Sequence, residues 1–187
     1  MNRRTTIVVL VVAAAAVAAA WFYLKPPSVV KGLSQTYINK ALGFSIRLPG
    51  GYTIDDKYNY EGLGAGAEIT GVKFNIPAAM ALGTNLSTDT YVSVEEIPDA
   101  KTCTARLFLD RGTQSTITDG GVTYSVASFT GAAAGNRYEE TVYAISGTSA
   151  SRRTCVAVRY YIHYGVFENY PAGSVRRFDK QVLLAGF

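Results

Sequence analysis

The chain has 187 residues, with 18 Lys and Arg against 14 Asp and Glu and a formal net charge of +4. Two of those cations, Arg3 and Arg4, stand ahead of a charge-free run at residues 5–24, so residues 25–187 carry 16 basic against 14 acidic side chains. That near-neutral balance, with no Lys/Arg stripe, speaks against nucleic acid as a partner, and the length of the remainder suits one domain.

The first element is the run TTIVVLVVAAAAVAAAWFYL at residues 5–24. A helix of that length, at about 1.5 Å per residue, covers about 30 Å, the hydrocarbon thickness of a bilayer. Trp21, Phe22 and Tyr23 at its far end suit the headgroup zone, because their rings are mainly apolar with polar edges. The run reads as a transmembrane signal-anchor. The alternative is a secretory signal cleaved after Ala20, since Ala18-Ala19-Ala20 has the small-x-small pattern. Both readings export the rest of the chain. Arg3 and Arg4 keep residues 1–4 in the cytoplasm. The expected location is therefore a bacterial inner membrane, crossed once, with a periplasmic C-terminal domain.

Residues 25–33, with Pro26 and Pro27, read as a stiff linker, and residues 34–187 as the exported domain. Within it, SQTYINKAL at 34–42 suggests a brief helix ended by Gly43. FSIRL at 44–48 alternates strictly and stops at Pro49-Gly50-Gly51, which predicts a strand and turn. Residues 55–68 are polar and Gly-rich and read as a loop; 72–76 and 91–97 read as strands.

In DAKTCTARLFLD, at 99–110, Ala100, Cys103 and Leu107 share a helical stripe behind Asp99, a natural cap. Three further strands at 122–129, 137–145 and 154–164, separated by Gly- or Ser-rich turns, suggest an antiparallel meander. The closing SVRRFDKQVLLAGF, at 174–187, places Val175, Phe178, Val182 and Ala185 on one stripe, with Ser174 as its cap. The expected class is α+β: a mostly antiparallel sheet with a mid-chain helix and a C-terminal amphipathic helix packed on it, after one transmembrane helix.

Alternation in the last strand places Cys155, Ala157, Arg159, Tyr161 and His163 on one face. A helix on that face would bring Cys103 to Cys155, and an exported domain favours a disulfide between them; two buried free thiols are the alternative.

The segment GFSIRLPGGYTID at 43–55, succeeded by antiparallel strands, a mid-chain helix and a closing helix, resembles the PsbP/Mog1-like α/β/α sandwich. It is also similar to proteobacterial envelope proteins with one N-terminal anchor. Tyr52 stands where the sandwich family commonly has Trp, and no binding residue of that family carries over. The resemblance implies binding or scaffolding rather than catalysis.

No residue pattern points to catalysis, a cofactor or a metal site. GLGAGA at 62–67 has the relaxed dinucleotide spacing but comes after no buried strand and opens no helix. His163 is the only histidine, short of what a metal or a nucleophile–base pair needs. Glu95-Glu96 and Glu139-Glu140 each point to opposite faces of a strand, so an acid/base pair would have to form across strands. Asn85-Leu86-Ser87 fits a glycosylation sequon, relevant only in a eukaryote.

Arg and aromatic residues, the types that dominate interfaces, gather at the end of the chain: Arg159, Tyr161 and His163 on one strand face, then Phe167, Tyr170, Arg176 and Arg177. They form a candidate interface for another envelope protein. The leading expectation is a membrane-anchored binding or scaffolding module, ahead of a small-ligand carrier and an acid/base hydrolase.

Overall fold

In a computed structural model of the protein, the described residues are 35–146 and 154–184; the apolar run at 5–24, the linker and Ala185 lie outside them. No helix among the described residues is long and apolar enough to cross a membrane.

A hairpin opens the domain. β1 (Gln35–Asn39) pairs antiparallel with β2 (Phe44–Leu48), from Gln35 opposite Leu48 to Asn39 opposite Phe44. Here a helix was expected. The β-favouring Thr36, Tyr37 and Ile38 find a partner in β2, and Asn39 closes the turn by accepting the Leu42 N–H.

The main sheet has seven strands: β3 (Thr53–Tyr60), β4 (Ile69–Asn75), β5 (Tyr91–Ile97), β6 (Thr113–Asp119), β7 (Val122–Ala133), β8 (Asn136–Ser146) and β9 (Cys155–Gly165). Their order is β3-β4-β5-β9-β8-β7-β6, with every neighbouring pair antiparallel. The last strand thus enters the middle of the sheet. The β7–β8–β9 meander stands as the alternation indicated, and β5 has the expected bounds.

Within this sheet two strands went unforeseen in the sequence, and both lie at its edges. β3 occupies much of the expected 55–68 loop; its run Asp55-Asp56-Lys57 coincides with a register shift between Asp55 and Tyr58, which breaks the alternation. β6 is exposed along its whole length and so carries no core-facing pattern. Gly120 and Gly121, both at positive φ, make the tight β6–β7 turn.

The helical content is small. Instead of a helix at 99–110 there is one 3-10 turn at Ala105–Leu107, and Asp99 has φ +54° and caps nothing. Phe108 and Leu109 are fully buried against the sheet, and the Phe108 carbonyl accepts from the Arg159 guanidinium rather than from a helical turn. The C-terminal helix is likewise shorter than expected. Helix α1 is Ala78–Ala81, and α2 is Lys180–Leu184, with Asp179 in place of Ser174 accepting the Gln181 and Val182 N–H groups. Residues 175–178 are not helical: Arg176 bridges Thr84 in parallel, and the Phe178 N–H donates to Asn85.

The domain is therefore a sheet-rich α+β structure with a core on each side. On one side Leu48, Phe74, Val94, Ile162 and Leu183 pack beneath the hairpin, α1 and α2. On the other, Phe108 and Leu109 pack on Ala127, Val142, Ala144 and Ala157. A disulfide between Cys103 and Cys155, with Cα atoms 5.0 Å apart, ties the second cover to β9. Closing a loop of 52 residues contributes about 4 kcal/mol by the chain-entropy relation.

Candidate functional site

Alternation and register together build the site. On the Cys155 face of the sheet, one cross-strand row reads Asn75, Tyr91, Tyr161, Glu140, Phe129, and the next reads Lys73, Ser93, Arg159, Val142, Ala127. Tyr138 stands opposite His163 on the same face, and Tyr58 stands opposite Gly71. The segment at 99–111 covers the β7–β8–β9 end. The uncovered part is a cleft of about 690 Å³ lined by Tyr58, Tyr91, Tyr138 and Tyr161, with Lys73, Asp89, Arg111 and Glu140.

The tyrosines pack on one another. Tyr91 and Tyr161 stack with centroids 4.9 Å apart, and the Tyr58 and Tyr91 hydroxyls hydrogen-bond at 2.9 Å. Burial, then the nearby Asp89, pushes the Tyr161 hydroxyl up to about 12. Burial also raises Tyr58 and Tyr91 well above the ordinary phenol range. These hydroxyls stay protonated at any physiological pH and can both donate and accept.

Beneath them lies a fully buried ion cluster. Arg159, with no exposed surface, donates to both Glu95 oxygens at 2.8 and 2.9 Å, to Glu140 at 3.4 Å and to the Phe108 carbonyl at 2.8 Å. The Tyr60 ring covers its guanidinium at 3.4 Å, and Ser93 donates to Glu95 at 2.6 Å. Burial works against the arginine's charge, but the hydrogen bonds and charge of Glu95 outweigh it and hold the guanidinium above its ordinary value. Gly71 makes room: a Cβ there would meet the Val94 carbonyl at 2.5 Å and the Glu95 side chain at 3.1 Å.

His163 closes one end. Its Nδ1 lies 2.8 Å from Asp89, its ring stacks on Tyr138 at 4.6 Å, and Nε2 is buried without a hydrogen-bond partner among the described residues. Burial tends to raise the Asp89 carboxyl, but hydrogen bonds from Ser87 and His163 prevail and hold it below the usual carboxylate range.

The expected interface divides. Tyr161 lines the cleft, His163 stacks beside it, and Arg159 lies wholly buried below it. Phe167 is exposed on a 3-10 turn at Phe167–Asn169, and Tyr170 is half-buried at its end. Arg176 and Arg177 are exposed on the segment that Phe178 anchors to the opposite core. Glu95 and Glu140, on separate strands, do meet on one face, joined through Arg159. Glu139 faces away and pairs with Tyr164 and Lys180.

The Gly-rich stretch at 62–67 lies between β3 and β4, and Gly62 lines the cleft rim. Asn85 is buried, donates to the Gly165 carbonyl and accepts from Phe178, so its amide is fully engaged within the fold. Among the described residues, no group of three or more His, Cys, Asp or Glu side chains is placed to hold a metal ion.

Sequence reasoning missed Tyr58, Tyr91, Tyr138, Lys73 and Arg111. Their signal was partial: each strand shows which residues share a face, but only the cross-strand register brings them to one place. Comparison with protein-family models and with curated proteins finds no match for the chain.

Proposed function

We propose that the protein is a membrane-anchored envelope protein, held by residues 5–24, whose exported domain is a binding module with the tyrosine-lined cleft as its ligand site. The cleft carries this reading. It is concave, of a size suited to a small ligand or a projecting group of a larger partner, and combines aromatic side chains with a few charged ones. Its floor is fixed by the Arg159 cluster, so the lining is pre-organised and binding costs little ordering.

Two observations support the envelope setting: the charge-free run behind Arg3 and Arg4, and the Cys103–Cys155 disulfide, which suits an oxidising compartment. The likeness of residues 43–55 to PsbP/Mog1-like sandwiches points the same way, toward binding. Glu95 and Glu140 are committed to Arg159, which suits a structural role better than acid/base work. The cleft volume also favours a second form of the reading, a small-ligand carrier.

Thermal shifts of the full chain across a panel of metabolites and envelope glycans test the proposal. A ligand should raise the melting temperature of the wild type and leave Tyr161→Trp, which fills the cleft, unshifted. Equal shifts in both proteins would place binding elsewhere and overturn the assignment.

A further inference from the structure

We propose that the cleft takes an acidic saccharide, a hydroxyl-rich ligand whose carboxylates are held by Lys73 of β4 and by Arg111 beside Phe129 of β7; this rests on the cleft being the binding site. The two cations are the under-used donors of the cleft. Lys73 has its nearest carboxylate, Asp55, at 4.0 Å, and Arg111 has Glu140 at 3.7 Å, both beyond hydrogen-bond length. Neither side chain donates a hydrogen bond of ordinary length to another described residue.

Aromatic rings hold both in place instead. The Lys73 ammonium lies 5.1 Å from the Tyr58 ring and 5.6 Å from the Tyr91 ring, and the Arg111 guanidinium lies 4.4 Å from the Phe129 ring. Such contacts orient a cation while leaving its N–H donors free. Arg159, by contrast, spends its donors inside the fold.

The acidic lining is largely spoken for. Glu140 is shared between Arg159 and Arg111, and Asp89 is bonded to His163, which leaves the exposed Glu61 as the unengaged acid of the rim. A carboxylate brought to either cation would gain charge-assisted hydrogen bonds, and the planar guanidinium of Arg111 can take both oxygens of one.

The rest of the lining calls for hydroxyls. Tyr58, Tyr91 and Tyr161 offer phenol groups, and Asn75 offers a carboxamide, a mixture of donors and acceptors that suits a polyol. A bare inorganic anion would leave these groups unused. Nucleobases fit poorly, because the ring faces are taken up in mutual stacks: Tyr91 on Tyr161 and Tyr138 on His163.

Isothermal titration of the full chain in detergent micelles decides the matter, with a uronic-acid trisaccharide, a neutral glucose trisaccharide and inorganic phosphate as probes. The uronate should bind at least about tenfold tighter than the other two, the worth of one charge-assisted hydrogen bond. Lys73→Met and Arg111→Met should each weaken it at least about tenfold on the same grounds, with Lys73→Arg restoring it. Thermal melts of each variant check that the fold is retained.

Equal binding of the neutral sugar, unaffected by either Met variant, would overturn the carboxylate assignment. Phosphate binding as tightly as the uronate would replace the saccharide with a simple anion site. If all three fail while another ligand binds wild type and not Tyr161→Trp, the saccharide class is wrong and the cleft reading stands. A ligand that shifts both proteins equally sinks the two together.

Discussion

On one side of the sheet Phe74 and Ile162 are closed off by Leu48 of the β1–β2 hairpin and Leu183 of α2, whereas on the other the disulfide-tied segment at 99–111 covers part of the face and leaves the tyrosine-lined cleft open. Alternate residues of the same strands supply both. In β9, Val158 and Ile162 belong to the closed side, and Arg159 and Tyr161 to the open one. The closed side derives its stability from non-directional apolar burial, which tolerates approximate packing. The open side adds to its own apolar core directional contacts between charges held out of water, which fail sharply when one partner goes. The two faces of one sheet are thus held by contacts of different kinds.

The strongest way to break that contrast is Arg159→Met. Removing the guanidinium leaves Glu95 buried without its cation and Glu140 with only Arg111 at 3.7 Å, and the loss should reach about 5 kcal/mol, the upper end for a broken buried pair, because both carboxylates lose a partner. Chemical denaturation measures it. Replacing all three residues, Arg159→Met with Glu95→Leu and Glu140→Leu, should recover most of that loss. A triple variant as unstable as the single one would show that the cluster contributes net stability, and the division between the faces would fall.

Next in size is Cys103→Ser, expected to cost about 4 kcal/mol from the loss of the closed loop. The effect should be one-sided. Hydrogen exchange should quicken at Phe108 and Leu109, which cover the open face, before it quickens at Phe74 or Leu183. Uniform loss of protection would mean that the two covers unfold as a unit.

The sequence conveyed the closed side better than the open one, for a physical reason. Strict alternation in FSIRL and in residues 154–164 reports which residues face a core, and the cysteine parity correctly indicated the disulfide. Edge strands lack that signal: β6 has no buried residue, and β3 is interrupted at Asp55 and Tyr58. The helical stripe of Ala100, Cys103 and Leu107 was real as a pattern, yet the pull of Phe108, Leu109 and the disulfide toward the sheet overrode it. The ion cluster needed Glu95, Glu140 and Arg159 from three strands in register, and register is a property of pairing that no single strand displays.

The smallest effect is also the most local test of the cleft. Tyr91→Phe deletes one hydroxyl and with it the Tyr58 hydrogen bond, a loss of about 1 kcal/mol at neutral pH. Its pH dependence carries more information. Tyr58, Tyr91 and Tyr161 all have phenol ionisation raised by burial, so each contributes stability that is fully present below the ordinary tyrosine value of about 10. That contribution falls as the pH rises past 10, because the unfolded chain then ionises while the folded one does not; for Tyr161 the fall ends near its folded value of about 12. Tyr91→Phe removes one such group, so its stability should decline less steeply than that of the wild type above pH 10, and the two curves should converge there. Parallel curves for Tyr91→Phe and wild type would mean that Tyr91 ionises as freely in the folded protein as in the unfolded chain, and that the cleft is wetter than its stacked rings imply.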